Sequence, residues 1–382
     1  MMNKNEWKKV KLENVCDILD NKRIPITASK RKKGVYPYYG ANGIQDYVDD
    51  YIFNDELILL AEDGGNFGSK TKPIAYRVSG KCWVNNHAHV LKAKENFMIS
   101  DFLCYSLMFY DVTKIINGAT RLKLTQSAMR NMLVPLPELR EQEKIVKKLQ
   151  CIEEILKKKK EQIKYLENLV KFQFLKIFGD PILNEKNWKK VSCKEIISKI
   201  GSGSTPLGGN KNYKSKGISF IRSLNVHNNK FINDGLVFIN EKQSEKLKNV
   251  NVEKDDILFN ITGASVARSC IVPLNILPAR VNQHVSIIRC NKEIIKPIFL
   301  CSQLTNIQYQ SFLLKIAKNN GATREALTKE QLENLNIILP PIELQNKFAD
   351  FVRQTEKCLF ELQKSIDETQ LLFDSLMDKY FS

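Results

Sequence analysis

The sequence lacks the spacings that hold metal clusters or disulfide frameworks. Its nine cysteines are scattered without a Cys-x-x-Cys pair, and its four histidines lie apart from any pair of cysteines. Zinc clusters and small disulfide-rich scaffolds need such pairs at short intervals. We therefore predict no bound metal and no disulfide framework. Unpaired cysteines are typical of a reducing compartment, which predicts a cytoplasmic protein.

Long hydrophobic runs are absent as well. The longest apolar stretch, Phe102 to Tyr110, contains Ser106 and falls well short of the roughly 20 apolar residues that a membrane-spanning helix needs. The first residues, Met1 to Asn14, are polar and charged, unlike the apolar core of a signal peptide. We expect neither a membrane segment nor a secretory signal.

Acidic residues are outnumbered by basic ones. The chain of 382 residues has 59 Lys and Arg against 42 Asp and Glu, which gives a net charge of +17. Such a surplus of positive charge indicates a polyanionic partner, most often a nucleic acid. The alternative is a basic surface that only keeps the protein soluble. A chain of this length is expected to form two or three domains.

The motifs of two enzyme classes are missing or incomplete. No Asn/Asp-Pro-Pro-aromatic motif of a methyltransferase occurs. The segment Gly64 to Thr71 resembles a phosphate-binding loop, but Ser69 occupies a position where that motif requires Gly. Pro73 and strand-like residues follow it, where the motif requires a helix. A nucleotide-binding enzyme therefore remains only as the less favoured alternative.

Histidines and aspartates offer few candidates for metal binding or catalysis. His87 and His89 alternate on a predicted strand with no carboxylate close by, so we predict no metal site there. Asp63 and Asp256 have no partner at a revealing spacing, and we interpret both as turn residues. The sequence thus predicts a protein without a catalytic site of its own.

Two long heptad patterns dominate what the sequence does contain. Apolar residues at alternating steps of four and three predict two helices, each about 50 Å long at about 1.5 Å per residue. The first pattern comprises Ile145, Leu149, Ile152, Leu156, Ile163, Leu166, Val170 and Ile177, with Lys159 and Gln173 in its gaps. The second, 203 residues later, comprises Phe348, Val352, Thr355, Leu359, Leu362, Ile366, Thr369, Phe373, Leu376 and Tyr380. We predict an intramolecular coiled coil; an ordinary helical hairpin is the alternative.

Other motifs are duplicated in the same order. Trp7-Lys8-Lys9-Val10 returns as Trp188-Lys189-Lys190-Val191, and Asn117-Gly118-Ala119-Thr120-Arg121 returns as Asn320-Gly321-Ala322-Thr323-Arg324. Glu56 to Leu60 align with Asp256 to Asn260, and His89-Val90 with His284-Val285. Pro137 and Gln142 match Pro340 and Gln345. These repeats predict two related modules, each followed by a long helix, while the interiors of the modules diverge.

The resulting architecture is α+β, with two mixed α/β modules separated by the long helices. The predicted boundaries are 1–138 and 181–341 for the modules, and 139–180 and 342–382 for the helices. Strands are predicted at Leu57–Ala61, Ile74–Val78, Ile257–Ile261 and Val285–Arg289, helices at Asp101–Tyr110 and Pro297–Ala317, and helix caps at Thr125 and Thr328. We predict that the two helices run antiparallel, which relates the modules by a pseudo-twofold if each module docks on the start of its own helix.

Polar and basic residues in the predicted loops are the candidates for DNA contacts. Arg121 and Arg324 lie at equivalent places in Gly-rich loops, where a guanidinium can grip guanine or phosphate; a salt bridge that holds the loop is the alternative. The full set of candidates is Asn42, Asn66, Lys70, Lys72, His89 and Arg121 in the first module, and Ser204, Thr205, Arg222, Ser223, Asn225, Thr262, Ser265, Arg268, His284 and Arg324 in the second.

The order of these motifs resembles that of the specificity (S) subunits of type I restriction-modification systems. The resemblance covers essentially the whole chain. It also rests on the Pro-rich links followed by Gln142-Glu143-Lys144-Ile145 and Gln345-Asn346-Lys347-Phe348, and on the junction Phe178-Gly179-Asp180-Pro181. One departure is the turn Gly203 to Pro206, which has no counterpart in the first copy.

The resemblance implies a non-catalytic subunit that takes part in DNA methylation and restriction. Each module would be a target recognition domain that reads one half of a bipartite sequence in double-stranded DNA. The helices would set the gap and bind two modification subunits, which are adenine methyltransferases using S-adenosylmethionine. Restriction subunits with translocase activity, using ATP and Mg, would join them. No cofactor is expected in this chain itself, and the other alternative is a coiled-coil adaptor between proteins.

Overall fold

The structure is a computed structural model that describes residues 7–118, 121–205, 213–318 and 325–381. The chain divides into two compact units. Unit one comprises Met1–Lys160 with Lys364–Ser382, and unit two comprises Glu161–Gln363. Both long helices cross from one unit to the other, so each unit contains one module and half of each helix.

Unit one is built around a mixed sheet. Its strands are β1 (Lys9–Lys11), β2 (Cys16–Ile18), β3 (Lys33–Gly40), β4 (Gly43–Val48), β5 (Phe53–Ala61), β6 (Ala75–Val84), β7 (Ala88–Ala93) and β8 (Leu133–Pro135). Its helices are α1 (Leu12–Val15), α2 (Ser100–Met108) and α3 (Gln126–Arg130), followed by the long α4 (Leu139–Phe178). Six strands pair in the order β2-β7-β5-β6-β3-β4. Only the β3–β6 pair in this sheet is parallel.

Eight strands of unit two form two four-stranded sheets, and four more form two two-stranded ladders. Its strands are β9 (Lys189–Ser192), β10 (Ile197–Ser202), β11 (Ile218–Ile221), β12 (Val226–His227), β13 (Lys230–Phe231), β14 (Val237–Ile239), β15 (Asn251–Val252), β16 (Ile257–Asn260), β17 (Ser269–Ile271), β18 (Ala279–Val281), β19 (Val285–Cys290) and β20 (Asn336–Leu339). Its helices are α5 (Cys193–Ile196), α6 (Glu241–Glu245), α7 (Pro297–Leu304), α8 (Ile307–Lys318) and α9 (Lys329–Glu333), followed by the long α10 (Ile342–Phe381).

The two modules share one strand order despite their divergent interiors. The run β4-β3-β6-β5-β7-β2 corresponds to β14-β11-β18, then β17-β16-β19-β10. The long β6 of unit one is represented in unit two by two strands, β17 and β18, with Pro273 and Pro278 between them. Proline cannot donate to a β-ladder, so the single strand becomes two and the sheet divides.

The strand pairing corrects the predicted alignment of the copies. Ala61 lies opposite Ala88 in unit one, and Asn260 lies opposite Val285 in unit two. Leu57, rather than Glu56, is therefore equivalent to Asp256. His87, rather than His89, is equivalent to His284. Apolar strands look alike after a shift of one or two residues, so the sequence alone did not fix their register.

The first and last segments of each module pair with each other. β1 pairs antiparallel with β8, with Val10 opposite Val134, and β9 pairs with β20, with Val191 opposite Ile337. The duplicated Trp-Lys-Lys-Val segments therefore close each module against the extended link that precedes its long helix. This pairing explains why the two motifs recur together.

A buried glutamine fastens each long helix to its module. The Gln142 amide accepts a hydrogen bond from the Ile99 N–H at 2.9 Å and donates to the carbonyls of Phe97 and Pro137, both at 2.9 Å. Gln345 accepts from the Lys296 N–H at 2.9 Å. It also donates to the carbonyls of Ile294 at 3.3 Å and Pro340 at 2.9 Å. Both glutamines are fully buried, so each one ties the helix start to the chain after β7 or β19.

The long helices run antiparallel within each unit. In unit one, Nζ of Lys159 on α4 donates to Oγ of Ser365 and Oγ1 of Thr369 on α10, both at 2.7 Å. In unit two, the rings of Phe174 on α4 and Phe348 on α10 have centroids 5.7 Å apart. Every heptad position predicted above is buried or half-buried. No helix in the described part of the chain is both long enough and apolar enough to cross a membrane.

Most of the predicted short elements form, with one change. The four predicted strands lie in or overlap β5, β6, β16 and β19, and the predicted helix at Asp101–Tyr110 is α2. The predicted helix at Pro297–Ala317 is instead two helices, α7 and α8. Oδ1 of Asn306 accepts hydrogen bonds from the N–H groups of Gln308 and Tyr309, and this local cap starts a new helix. Thr328 and Gln331 form the predicted capping box, and Thr125 caps α3 alone.

Candidate nucleic-acid interface

An ionic cluster follows the end of β5 in unit one. Oδ1 of Asp63 forms an ion pair with Nη2 of Arg121 at 2.5 Å and lies 2.8 Å from Nδ1 of His87. Asp63 is largely buried, whereas the Arg121 side chain is 59% exposed. The interpretation of Asp63 as an unpartnered turn residue was therefore wrong. Its partners lie 24 and 58 residues away in sequence, which no local spacing reveals.

The turn at Gly64 gathers further candidates around this cluster. Gly64 has a left-handed backbone with φ of 62°, a conformation that glycine adopts without strain. Nδ2 of Asn42, at the tip of the β3–β4 hairpin, donates to the Gly64 carbonyl at 3.0 Å, and Oδ1 of Asn42 accepts from Asn66 at 3.2 Å. Asn42, Asn66 and Arg121 thus share one neighbourhood.

Lys70 and Lys72 lie on the loop that follows this turn. Both side chains are exposed, and Oγ of Ser69 accepts from the Lys72 N–H at 2.9 Å. The loop leads into β6, so no helix follows Gly64 to Thr71. A phosphate-binding loop of the nucleotide-binding type requires that helix, and the structure therefore removes the basis of the nucleotide-binding alternative.

His89 was wrongly predicted to contact DNA. Its side chain is buried, with Nδ1 2.6 Å from Oδ2 of Asp20 and Nε2 2.9 Å from the Leu124 carbonyl. Oε2 of Glu62 lies 3.6 Å from Nδ1 of the same ring. The sequence-based statement that no carboxylate lies near the histidines was also wrong, because β7 brings His89 beside residues that are distant in sequence.

The three groups Asp20, Glu62 and His89 lie close enough to hold a metal ion, with ligand atoms within 4.8 Å of one another. These carboxylates already form ion pairs with positively charged side chains. Glu62 binds Nη1 of Arg23 at 2.6 Å and Nζ of Lys123 at 2.9 Å. We interpret the group as a buried ion network rather than a metal centre.

The carboxylates of this network have shifted pKa values. Burial alone would raise the pKa of Asp20, but the hydrogen bond and charge of His89 and the Val90 N–H lower it below its ordinary range. Burial would likewise raise the pKa of Glu62, and hydrogen bonds from Lys123 and Arg23 lower it instead. Both carboxylates are therefore ionised at neutral pH, as a network of ion pairs requires.

Unit two carries a neutral counterpart of the Asp63–His87 contact. Oγ1 of Thr262, which follows β16, lies 2.6 Å from Nδ1 of His284. Oδ1 of Asn282 accepts from the His284 N–H, as Oδ1 of Asn85 accepts from the His87 N–H in unit one. The Gln283 side chain also accepts from the Thr205 N–H at 3.1 Å. The structure thus brings Thr205, Thr262 and His284 together, with exposed Ser204 adjacent.

The other candidates of unit two lie elsewhere or prove inaccessible. Asn225 was wrongly predicted to contact DNA, because it is fully buried and Nδ2 donates to the Ile232 carbonyl at 2.9 Å. Arg222 packs over the Tyr213 ring and donates to the Gly235 carbonyl at 2.6 Å. Ser223, Ser265 and Arg268 are half-buried in loops. Arg324 lies outside the described residues.

One surface of unit one carries exposed aromatic and basic residues that are not among the predicted DNA contacts. On and beside the β3–β4 hairpin, Val35 is 78% exposed and Tyr47 is 51% exposed. The Lys81 ammonium lies over the rings of Tyr36 and Tyr51, at 5.9 and 4.7 Å from their centroids. Exposed aromatic rings interleaved with basic side chains are common on nucleic-acid-binding surfaces. The tyrosine-rich segment from 36 to 51, next to the basic run at 30–33, was the available signal.

Known proteins with sequences similar to this chain are named as specificity subunits of type I restriction enzymes. A putative type I restriction enzyme specificity subunit of Haemophilus influenzae is 40% identical over 147 residues, which cover 38% of this chain and 37% of that protein. The MjaVIII specificity subunit of Methanocaldococcus jannaschii is 22% identical over 95% of this chain and 89% of that protein. The alignment thus spans little more than a third of the first relative's length.

A solved structure shows the same fold. The S subunit of a type I restriction-modification system from M. genitalium superposes with a TM-score of 0.61 at 15% identity, and covers 100% of this chain and 99% of that chain. A second solved chain, from a study of complex assembly in a type I system, gives a TM-score of 0.57 at 18% identity over 98% of this chain.

The family model for the type I restriction modification DNA specificity domain matches twice, at residues 4–165 and 185–369. The two matches correspond to the two modules, each with about the first two thirds of the long helix that follows it. Together they cover most of the chain, which therefore belongs to the type I restriction-modification DNA specificity family.

Proposed function

We propose that this chain is the DNA-recognition subunit of a type I restriction-modification complex, and that each module reads one half of a bipartite target. The observation that carries this proposal is a duplicated frame with different side chains at equivalent places. Asp63 and Thr262 occupy one such place, each beside a histidine. Modules that share a backbone frame but differ in polar side chains are suited to reading different base edges.

The long helices supply the spacer in this proposal. Their heptad positions are buried or half-buried along the full length, as expected for a coiled coil that separates two readers. Two modification subunits that use S-adenosylmethionine would dock on the chain, and restriction subunits that use ATP and Mg would join them. This chain would direct their chemistry without catalysing it.

The function is tested by mapping N6-methyladenine in the DNA of cells that express this chain together with the methyltransferase subunit of its system. We expect a bipartite motif with a fixed gap, present only when both are expressed. Expression of either one alone is the control. If the complex methylates DNA without a bipartite motif, the proposal is wrong, and the coiled-coil adaptor becomes the better interpretation.

A further inference from the structure

The loop Asn-Gly-Ala-Thr-Arg is identical in both modules, although their interiors diverge. If the modules read different half-sites, as the proposed function holds, a residue common to both cannot discriminate between the half-sites. If it touches DNA, it contacts what the half-sites share. The feature common to all duplex DNA is the phosphate backbone, whose contacts position a protein without reading sequence.

The geometry of Arg121 suits such a contact. Its side chain is 59% exposed, and its contacts with Asp63 and His87 both use Nη2. A guanidinium has further N–H donors on Nε and Nη1, arranged to grip phosphate oxygens. A Cβ at Gly64 would lie 3.1 Å from Nη2 of Arg121, so glycine at this position leaves room for the guanidinium.

The setting of the loop differs in charge between the modules. The Leu124 N–H donates to the Glu62 carbonyl at 2.7 Å, and the Leu327 N–H donates to the Ile261 carbonyl at 2.8 Å. These matched contacts, with the bridges Asp63–Lys123 and Thr262–Ala326, make Asp63 equivalent to Thr262. The second module therefore has a neutral hydroxyl where the first has the carboxylate that binds Arg121.

We propose that Arg121 is a sequence-independent phosphate contact of the first module, and that Asp63 is a positioning residue that orients it and weakens its grip on DNA. This inference rests on the proposed function and adds a division of labour to it. Side chains common to both modules hold the backbone, and those that differ read bases. Because Asp63 lies beside the guanidinium, its charge opposes the approach of a phosphate.

The test uses the full chain co-purified with the methyltransferase subunit of its system, and duplexes with and without the mapped motif. We expect Arg121→Ala to weaken binding about tenfold on both duplexes and to lower the slope of log affinity against log salt by about one, the value for one phosphate contact. The methylated motif should stay the same. Arg121→Lys should keep most of the slope.

Asp63→Thr installs the residue of the second module and tests the effect of the Asp63 charge on the contact. We expect about threefold tighter binding to both duplexes and a salt slope at least as steep as that of the unaltered chain. Arg130→Ala is the matched control, because Arg130 is also an arginine paired with a carboxylate, Glu13, with a side chain that is 41% exposed, and should change neither quantity. Thermal melting of each variant separates a folding defect from a binding effect.

Three outcomes would overturn the inference. A changed base in one half-site for Arg121→Ala would mean that the arginine reads sequence. Unchanged affinity and slope in a folded Arg121→Ala chain would mean that it does not touch DNA. If the unaltered complex shows no salt-dependent, sequence-specific binding, the proposed function itself fails, and the inference fails with it.

Discussion

Individual side chains decide what each module can present to DNA, and burial separates the accessible candidates from the inaccessible ones. Arg121, Lys70 and Lys72 are exposed, whereas His89 and Asn225 have their polar atoms bound inside the protein. The sequence could nominate polar residues in loops, but it could not show which were buried. The contacts that bury His89 join residues up to 69 positions apart, and no local pattern encodes them.

The buried ion network predicts a loss of stability in acid. The ordinary pKa values are 3.8 for Asp20 and 4.5 for Glu62, and folding lowers both. Carboxylates with a lowered pKa stabilise the folded state above those ordinary values, and this contribution is lost as the pH falls through the lower values of the folded protein. We therefore expect the melting temperature to fall steeply below about pH 4.

Melting curves between pH 7 and pH 3 test this expectation. Asp20→Asn removes one of the titrating groups, so its melting temperature should be lower at pH 7 but should change less with acidification. Asp49→Asn is a control at an exposed carboxylate of the same unit and should follow the unaltered chain. An equal acid sensitivity of Asp20→Asn and the unaltered chain would contradict the assignment.

Helices and strands differ in how well the sequence predicts them. The heptad positions and the caps at Thr125 and Thr328 depend on residues a few positions apart, so a short stretch of sequence is enough to predict them. The alignment of β5 with β16 and of β7 with β19 depended on cross-strand partners, and the sequence placed it one or two residues out of register. The common strand order of the divergent interiors was not visible in the sequence for the same reason.

The buried glutamines predict a matched pair of effects at the helix starts. Gln142→Leu or Gln345→Leu would leave a buried N–H and two carbonyls without their partner, which costs about 1–3 kcal/mol of unfolding free energy for each change. Urea unfolding of the full chain measures this cost. Gln354→Leu, at an exposed position of α10, should change stability by less than about 0.5 kcal/mol. Equal effects at all three positions would argue against the fastening role.

The lysine within the helix pair predicts an effect on spacing. Lys159 donates to Ser365 and Thr369 across the interface, and a polar residue in a coiled-coil seam can fix its register. We expect Lys159→Leu to keep the helices folded but to make the length of the gap in the methylated motif variable. A gap identical to that of the unaltered chain would remove the support for a role in register.

The organisation of the whole molecule into two modules predicts that the specificities for the two half-sites can be changed separately. The β1–β8 pair closes the first module before α4 begins at Leu139, so residues 1–138 form a natural unit of exchange. Replacing them with the corresponding module of a related chain should change one half of the methylated motif and leave the other half and the gap unchanged. A change in both halves, or in neither, would contradict the modular account.

The success of such an exchange should depend on aromatic contacts with the end of α10. The ring of Phe102 in α2 lies 5.2 Å from that of Phe381, and the ring of Tyr105 lies 6.5 Å from that of Phe373. An incoming module that keeps aromatic residues at these two places of its own α2 should yield a soluble, folded chimera. Phe102→Ala in the original chain, which removes a fully buried ring, should lower stability by about 3–5 kcal/mol.

The composition of unit one has a consequence for biosynthesis. Its module is made first, but Lys364–Ser382 belong to the same compact unit and emerge from the ribosome about 200 residues later. At about 5–20 residues per second, that interval lasts roughly 10–40 seconds. During this time the aromatic side chains of α2 lack their partners on α10 and expose apolar surface. The module that is synthesised first is therefore the last to be completed, and chaperones have the longest opportunity to bind it.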